Sequence, residues 1–169
     1  MDNRSETNPT DTNTAKAVFA AGCFWHVEHA FSQVPGVIST KAGYTGGDVE
    51  NPTYKMVCTD KTGHAEAVEV TYDPNQITYE ELVNVFWKIH DPTQVNSQGP
   101  DVGTQYRSAI FYYNDAQEKT ALESKEKLEK SGRYSRPIAT QIVPIDKFYE
   151  AEEYHQQYFE KHGFTCSPF

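Results

Sequence analysis

Residues 64–72 have a strict two-residue hydrophobic period, and this stretch constrains the fold more than any other part of the sequence. Val68, Val70 and Tyr72 fall on one side, as in a β-strand with a single buried face. Glu66 shares that side, so its carboxyl is predicted to point into apolar surroundings. Burial would raise the carboxyl pKa and make Glu66 a candidate general acid. The alternative is that Glu66 lies at the end of the sheet and turns to solvent.

The same analysis of periodicity predicts the other elements. Further strands are predicted at residues 16–21, 37–44, 106–113 and 138–145, the last at a sheet edge because Pro144 lacks a ladder donor. Helices are predicted from Phe24 to the Pro35-Gly36 stop, from the Thr78–Glu81 capping box to Asp91, over 115–131, and from Asp146 through Lys161. This order predicts an α+β fold: a split βαβ (ferredoxin-like) two-layer sandwich with a mixed sheet and additional C-terminal strand and helices.

Length and charge bound the function class. A chain of 169 residues fits one domain, which we place at residues 15–169, after a disordered polar tail at 1–14 and including a mobile C-terminal tail at 163–169. The net charge of −9 disfavours binding to nucleic acid or to an anionic membrane. The sequence has neither a membrane-length apolar run nor a signal-peptide pattern. We therefore expect a cytoplasmic, monomeric protein.

Cys23 lies between a predicted strand and a predicted helix, directly after Gly22. Unpaired N–H groups at a helix N-terminus favour the thiolate, so we expect a lowered thiol pKa and a nucleophile. The alternative is a buried cysteine that acts as a small hydrophobe. Phe24 and Trp25 precede the amphipathic stripe of the helix and could form an apolar wall beside the sulfur, or simply pack in the core.

Several other candidates lie on or beside predicted loops, where binding residues concentrate. Tyr54, Asp101 and Tyr106 are such residues, and each alone is a weak signal. Cys166 lies in the C-terminal tail, where a thiol could reach an oxidised partner or could be inert. Cys58 has apolar neighbours and is interpreted as structural.

No metal site is predicted, although the chain has 3 cysteines and 6 histidines. Cys23, His26, Cys58 and His64 could be combined into a zinc set, but their separations match no common zinc pattern. The sequence also lacks a Cys-x-x-Cys redox pair, a glycine-rich nucleotide loop and a Gly-x-Ser-x-Gly elbow. Nucleotide and serine-hydrolase chemistry are therefore disfavoured.

A series of motifs resembles the A-type peptide methionine sulfoxide reductases over about residues 18–166. They are Gly22-Cys-Phe-Trp25, Gly43-Tyr-Thr-Gly-Gly47, Asn51-Pro-Thr-Tyr54, Gly63-His-Ala-Glu-Ala67, Phe86-Trp87 with His90-Asp-Pro92, Gly103-Thr-Gln-Tyr-Arg-Ser108 and Glu153-Tyr-His-Gln-Gln157. The resemblance implies reduction of the S epimer of methionine sulfoxide, free or in proteins, and therefore repair of oxidative damage.

The resemblance also implies roles for the candidate residues. Cys23 would attack the sulfoxide sulfur and become a sulfenic acid, and Glu66 would protonate the departing oxygen. Cys166 would resolve the sulfenic acid as an intramolecular disulfide, which thioredoxin would reduce as the external reductant, with no bound cofactor. Tyr54 and Tyr106 are similar to the phenols that bind that oxygen, Asp101 to a carboxylate on the polar side, and Phe24 and Trp25 to the rings that hold the methyl group.

Some members of the family have a second tail cysteine, and since none follows Cys166 in this sequence we expect recycling without a second disulfide. His26 also stands where a smaller residue is expected in many members. Two other functions remain as alternatives: a module that binds methionine-rich segments through the aromatic residues, and a metalloprotein.

Overall fold

The computed structural model of the protein describes residues 14–162. The strands are β1 (Ala15–Ala21), β2 (Val37–Thr45), β3 (Ala65–Tyr72), β4 (Ser97–Gln98), β5 (Asp101–Val102), β6 (Ser108–Tyr112), β7 (Gln141–Pro144) and β8 (Phe148–Glu150). The helices are α1 (Phe24–Ser32), α2 (Tyr54–Val57), α3 (Tyr79–Lys88), α4 (Asp115–Lys130) and α5 (Tyr158–His162), with 3-10 turns at Thr104–Tyr106 and Glu153–His155. Most of the predicted tails, 1–13 and 163–169, lie outside the described residues.

Six strands form one sheet in the order β7-β6-β1-β3-β2-β8, and β4 pairs only with β5. The β6 and β7 strands are parallel, and the other neighbouring pairs of the sheet are antiparallel. The predicted α+β class with a mixed sheet is therefore confirmed. The predicted edge position of the strand that contains Pro144 is confirmed as well, since β7 is the outermost strand on its side.

The main core lies between the sheet and α1, α3 and α4. Phe19 of the central strand β1 is fully buried there, and its ring stacks on Phe31 at 5.0 Å and on Phe86 at 5.3 Å. Val68 and Val70 of β3 belong to the same cluster, as their two-residue period predicts. Each such buried side chain contributes about 1.5–3 kcal/mol, so this face supplies most of the driving force that orders the strands around the site.

The helix α3 begins as its sequence predicts. The Thr78 hydroxyl accepts the Glu81 N–H at 3.1 Å, and the Glu81 carboxylate accepts the Thr78 N–H at 2.9 Å. Both bonds of the capping box are therefore present, and they satisfy two backbone donors that the helix itself leaves unpaired.

The predicted helix over 146–161 is wrong. That segment instead contains β8, a 3-10 turn and the short α5. Gln156 explains the difference, because its side chain bonds to Ala42 N and O at 2.9 and 3.0 Å and to Ala151 O at 2.9 Å. The chain also takes a left-handed conformation at Gln157, with φ of 49°. Tertiary hydrogen bonds to the edge of β2 therefore override the local helical pattern.

Two smaller elements, α2 and the β4–β5 hairpin, lie where the sequence predicts loops. No helix among residues 14–162 is long and apolar enough to cross a bilayer.

Candidate active site

Glu66 is buried on the helix side of the sheet, with 1% of its surface exposed. Its Oε1 atom accepts the Phe24 N–H at 3.2 Å, while Oε2 has no hydrogen-bond partner among the described residues. Burial raises the pKa of the carboxyl to about 8; the Phe24 N–H offsets part of this effect, and the Asp101 carboxylate adds to it. The predicted burial is confirmed, and the solvent-facing alternative is wrong. Glu66 is therefore largely protonated at neutral pH, with one oxygen unpartnered.

Cys23 directly precedes α1 and is half-buried. Burial and the Glu66 carboxylate raise the pKa of its thiol to about 12, although the N–H groups of Trp25 and His26 act in the opposite direction. The expected lowering of the thiol pKa is wrong, because desolvation outweighs the helix N-terminus. The thiol is therefore protonated in the free protein at neutral pH.

The turn before Cys23 is fixed by a close contact between its backbone and the Gln98 side chain. Gly22 has φ of 95°, and a Cβ atom there would lie 2.9 Å from the side chain of Gln98. Gln98 in turn accepts the Asp91 N–H at 2.9 Å and donates to Asp91 O at 2.9 Å. Only glycine suits both the conformation and the space. The contact brings the β4–β5 hairpin, which carries Asp101, against the Cys23 turn.

Phe24 and Trp25 belong to a continuous cluster of aromatic rings. Phe24 is 1% exposed, and its ring lies 6.4 Å from that of Tyr54. Trp25 is half-buried and stacks on Tyr158, with ring centroids 3.7 Å apart and an interplanar angle of 5°. Phe24 is thus buried, and Trp25 is half-buried, so the two rings directly after Cys23 differ in their exposure to solvent.

Tyr54 and Tyr106 are both half-buried, and the structure brings them within the electrostatic reach of Glu66. For each, burial and then the Glu66 carboxylate raise the pKa of the phenol well above its usual value. The Asp101 carboxylate adds to the effect at Tyr106. Both hydroxyls therefore stay protonated and can donate hydrogen bonds. Cys58, predicted to be structural, is exposed at the end of α2 and lies close enough to Tyr54 to contribute to the raised pKa of its phenol.

His155 is a site residue that the sequence reasoning missed. It is fully buried, and its ring lies 5.1 Å from that of Phe24 and 4.3 Å from that of Tyr54. Its Nδ1 atom accepts the Trp25 indole N–H at 3.0 Å. The Glu153–Gln157 motif contains this histidine, but the wrong helix prediction gave it no position relative to the rings.

Glu152 is a second residue missed from the sequence. Its carboxylate accepts the Tyr44 hydroxyl at 2.8 Å and the Tyr54 N–H at 2.9 Å. It therefore fixes the start of α2 and with it the position of the Tyr54 ring.

Within residues 14–162, no group of three or more His, Cys, Asp or Glu side chains is arranged to hold a metal ion. The polar groups that the described part of the chain brings to the site are a thiol, carboxyls and phenols. The buried Glu66 carboxyl can donate a proton, and the Cys23 thiol lies near it, since its pKa is affected by the Glu66 charge. The predicted resolving residue, Cys166, lies outside the described residues.

Comparison with known proteins places these features in a wider context. The profile of the family described as "Peptide methionine sulfoxide reductase" matches residues 15–167. The chain is 63% identical over 149 residues to the peptide methionine sulfoxide reductase MsrA of Methanosarcina acetivorans. The alignment covers 88% of this chain and 79% of that protein.

Solved structures agree with this similarity. The reduced form of Mxr1 from Saccharomyces cerevisiae has a TM-score of 0.86 and 40% identity, covering 92% of this chain and 90% of that one. Mxr1 in complex with Trx2 has a TM-score of 0.62 and 31% identity, covering 86% and 85% of the two chains.

Proposed function

The chain belongs to the peptide methionine sulfoxide reductase family and is an enzyme of that kind, and on this premise we propose that it reduces the S epimer of methionine sulfoxide through Cys23. One observation carries the proposal: Glu66 is buried next to the Cys23 turn, with Oε1 accepting the Phe24 N–H and Oε2 without a partner among residues 14–162. Burial also raises the pKa of this carboxyl to about 8. An acid in that position can donate its proton to an oxygen that leaves the adjacent sulfur.

The first step transfers oxygen from substrate to enzyme. The Cys23 sulfur bonds to the sulfoxide sulfur while Glu66 protonates the sulfoxide oxygen, and the thiol proton returns to the Glu66 carboxylate. The hydroxyl then moves from the substrate sulfur to the Cys23 sulfur as the new S–S bond breaks. Methionine leaves and Cys23 becomes a sulfenic acid, so the substrate gains the two electrons that the thiol loses. Tyr54 and Tyr106 donate hydrogen bonds to the oxygen as negative charge develops on it. Such preorganised donors contribute a few kcal/mol each in a water-poor site.

Substrate selection follows from the two sides of the site. A methyl sulfoxide has an apolar methyl group and a polar S–O bond on one sulfur atom. Phe24 and Trp25 supply the apolar side, and the hydroxyls of Tyr54 and Tyr106, with Asp101, supply the polar side. Because these sides are fixed relative to the Cys23 sulfur, only one epimer presents its oxygen to Glu66.

The second step regenerates the thiol. The Cys166 thiol attacks the Cys23 sulfenic acid, which releases water and forms a disulfide. Thioredoxin then reduces the disulfide by exchange, as the structure of yeast Mxr1 with Trx2 suggests for a relative. The cycle needs no metal, flavin or nucleotide bound to this chain.

A coupled assay tests this function. Thioredoxin, its reductase and NADPH are combined with separated epimers of methionine sulfoxide, and NADPH consumption is recorded. We expect turnover with the S epimer and none with the R epimer or with Cys23→Ser. Equal rates with both epimers, or no turnover by protein whose Cys23 is reduced, would reject the proposal.

The role of Cys166 has its own test. Cys166→Ser should release one equivalent of methionine per enzyme but lose thioredoxin-driven cycling. Cys58→Ser is the matched control, because it removes another thiol and should leave cycling intact. A steady-state rate of Cys166→Ser equal to that of the parent protein would reject Cys166 as the resolving residue.

For the fold we further propose that the four central strands form a split βαβ (ferredoxin-like) unit. The order β6-β1-β3-β2 supports this description, since α1 connects β1 to β2 and α3 lies between β3 and β6 along the chain.

A further inference from the structure

Asp60 connects two segments that carry proposed substrate-binding tyrosines. It lies in the turn that follows α2, the helix that begins with Tyr54. Its Oδ1 atom accepts the Thr104 backbone N–H at 2.9 Å and the Thr104 hydroxyl as well. Thr104 opens the 3-10 turn that ends at Tyr106. One carboxylate oxygen therefore ties the two segments together.

The backbone conformation at Asp60 favours glycine, so the aspartate there is explained by the hydrogen bonds of its side chain. Its φ is 64°, in the left-handed region, where glycine is the least strained residue. The Asp60 N–H bonds to Val57 O at 3.0 Å, so this conformation closes the turn after α2. Glycine would form the same turn without strain, but it could not bond to Thr104. The aspartate is thus in a less favourable backbone conformation than glycine would be, but its side chain makes the hydrogen bonds to Thr104.

The Thr104 turn is held from its other side too. The Arg107 guanidinium donates from Nη1 to Thr104 O at 2.8 Å and from Nε to Gln141 Oε1 at 3.1 Å. Arg107 thereby fixes the turn to β7, and Asp60 fixes it to the segment after α2. Loss of Asp60 would leave the turn attached to the sheet but detached from α2.

A single helical turn such as α2 gains little stability from its own hydrogen bonds. Glu152 holds the start of α2 through the Tyr54 N–H, and Asp60 holds the chain just after its end. These two external bonds therefore hold α2 on both sides, in addition to the packing of the Tyr54 ring on His155.

We propose that Asp60 is a positioning residue that sets the separation of the Tyr54 and Tyr106 hydroxyls by tying the turn after α2 to Thr104. The inference rests on the proposed function, in which both hydroxyls bind the sulfoxide oxygen. Hydrogen-bond donors act best at fixed distances from the developing charge, so a small relaxation of either segment slows the chemical step. Substrate binding through the aromatic rings is largely independent of this tie.

The test compares Asp60→Gly with Asp60→Asn. Glycine keeps the left-handed turn and removes the tie, whereas asparagine tolerates the same φ and retains an oxygen that can accept from Thr104. Methionine released in a single turnover, without thioredoxin, is measured over a range of S-epimer concentrations. We expect Asp60→Gly to lower the rate at saturation roughly tenfold with little change in half-saturation. Asp60→Asn should stay within about twofold of the parent protein.

Asn96→Gly is the matched control. Asn96 also has a left-handed φ, of 49°, it is exposed, and its side chain makes no hydrogen bond within residues 14–162. Its replacement should leave the single-turnover rate unchanged. Unfolding midpoints of all variants, measured in the assay buffer, verify that the folded protein is compared.

An Asp60→Gly rate equal to that of the parent protein would overturn the inference. So would an Asp60→Asn variant as slow as Asp60→Gly, or an Asn96→Gly variant with the same defect. Failure of the proposed function is recognised separately, because the parent protein itself would then release no methionine.

Discussion

Replacing Glu66 by glutamine separates proton donation from shape at the centre of the site. Glutamine has nearly the same volume, and its carbonyl oxygen can still accept the Phe24 N–H that Glu66 Oε1 accepts at 3.2 Å. With a pKa of about 8, about nine in ten Glu66 carboxyls are protonated at pH 7, compared with roughly one in 300 for an ordinary carboxyl at 4.5. Glutamine donates hydrogen bonds but no proton. We therefore expect the single-turnover rate to fall by about a hundredfold to ten-thousandfold, the usual contribution of a general acid.

The same substitution should stabilise the protein at alkaline pH. Below about pH 4.5 the carboxyl is protonated in both folded and unfolded chains, so it adds no pH dependence. Between 4.5 and about 8 the unfolded chain releases a proton that the folded protein retains, so the free energy of unfolding falls by about 1.4 kcal/mol per pH unit. A glutamine side chain does not ionise, so the variant does not lose this free energy of unfolding as the pH rises. The free energy of unfolding of Glu66→Gln should thus exceed that of the parent protein by about 5 kcal/mol above pH 8, with no such gain at pH 4.

Two measurements check this pair of effects. Urea unfolding at pH 5, 7 and 9 gives the free energy difference, and quenched-flow detection of methionine gives the rate. In the parent protein the rate should decline as pH rises through about 8, because the acid is then lost. A Glu66→Gln protein that is both inactive and less stable at pH 9 would refute the reasoning, since the lost activity would reflect damaged structure.

Three further outcomes follow from individual contacts. Iodoacetamide should alkylate Cys23 slowly at pH 8, because burial and the Glu66 carboxylate raise the pKa of its thiol to about 12. Glu66→Gln should shift the pH profile of alkylation to lower pH. An unchanged profile would exclude the electrostatic coupling between Glu66 and Cys23. Thr78→Ala should lower the free energy of unfolding by about 1 kcal/mol, measured in urea, with unchanged kcat, because it removes only the hydroxyl that accepts the Glu81 N–H. Gln156→Leu should cost about 3 kcal/mol, since it leaves the buried peptide groups of Ala42 unpaired; a loss below 1 kcal/mol would contradict that role.

The sequence predicted best where a hydrophobic period reports burial directly. The alternation over 64–72 gave the face of the sheet that Glu66 occupies, and the register of β3 confirms it. The capping box at Thr78 likewise predicted the start of α3, because its signal is local. Elements of this kind can be predicted from residues that are close together in the sequence.

Predictions failed where distant contacts decide the outcome. The pattern over 146–161 is helical in isolation, but Gln156 bonds to Ala42 on β2 and redirects the chain. The pKa of Cys23 was misjudged for a similar reason, since burial and the Glu66 charge depend on the assembled site. His155 was missed because its position along the chain does not indicate which aromatic rings surround it in the fold.

Peptide mapping by mass spectrometry after one turnover tests the central claim most directly. The reduced protein is mixed with the S epimer of methionine sulfoxide without thioredoxin, digested without reductant and analysed for linked peptides. The account predicts one equivalent of methionine and a disulfide that joins Cys23 to Cys166. Release of methionine with Cys23 still a free thiol would contradict it.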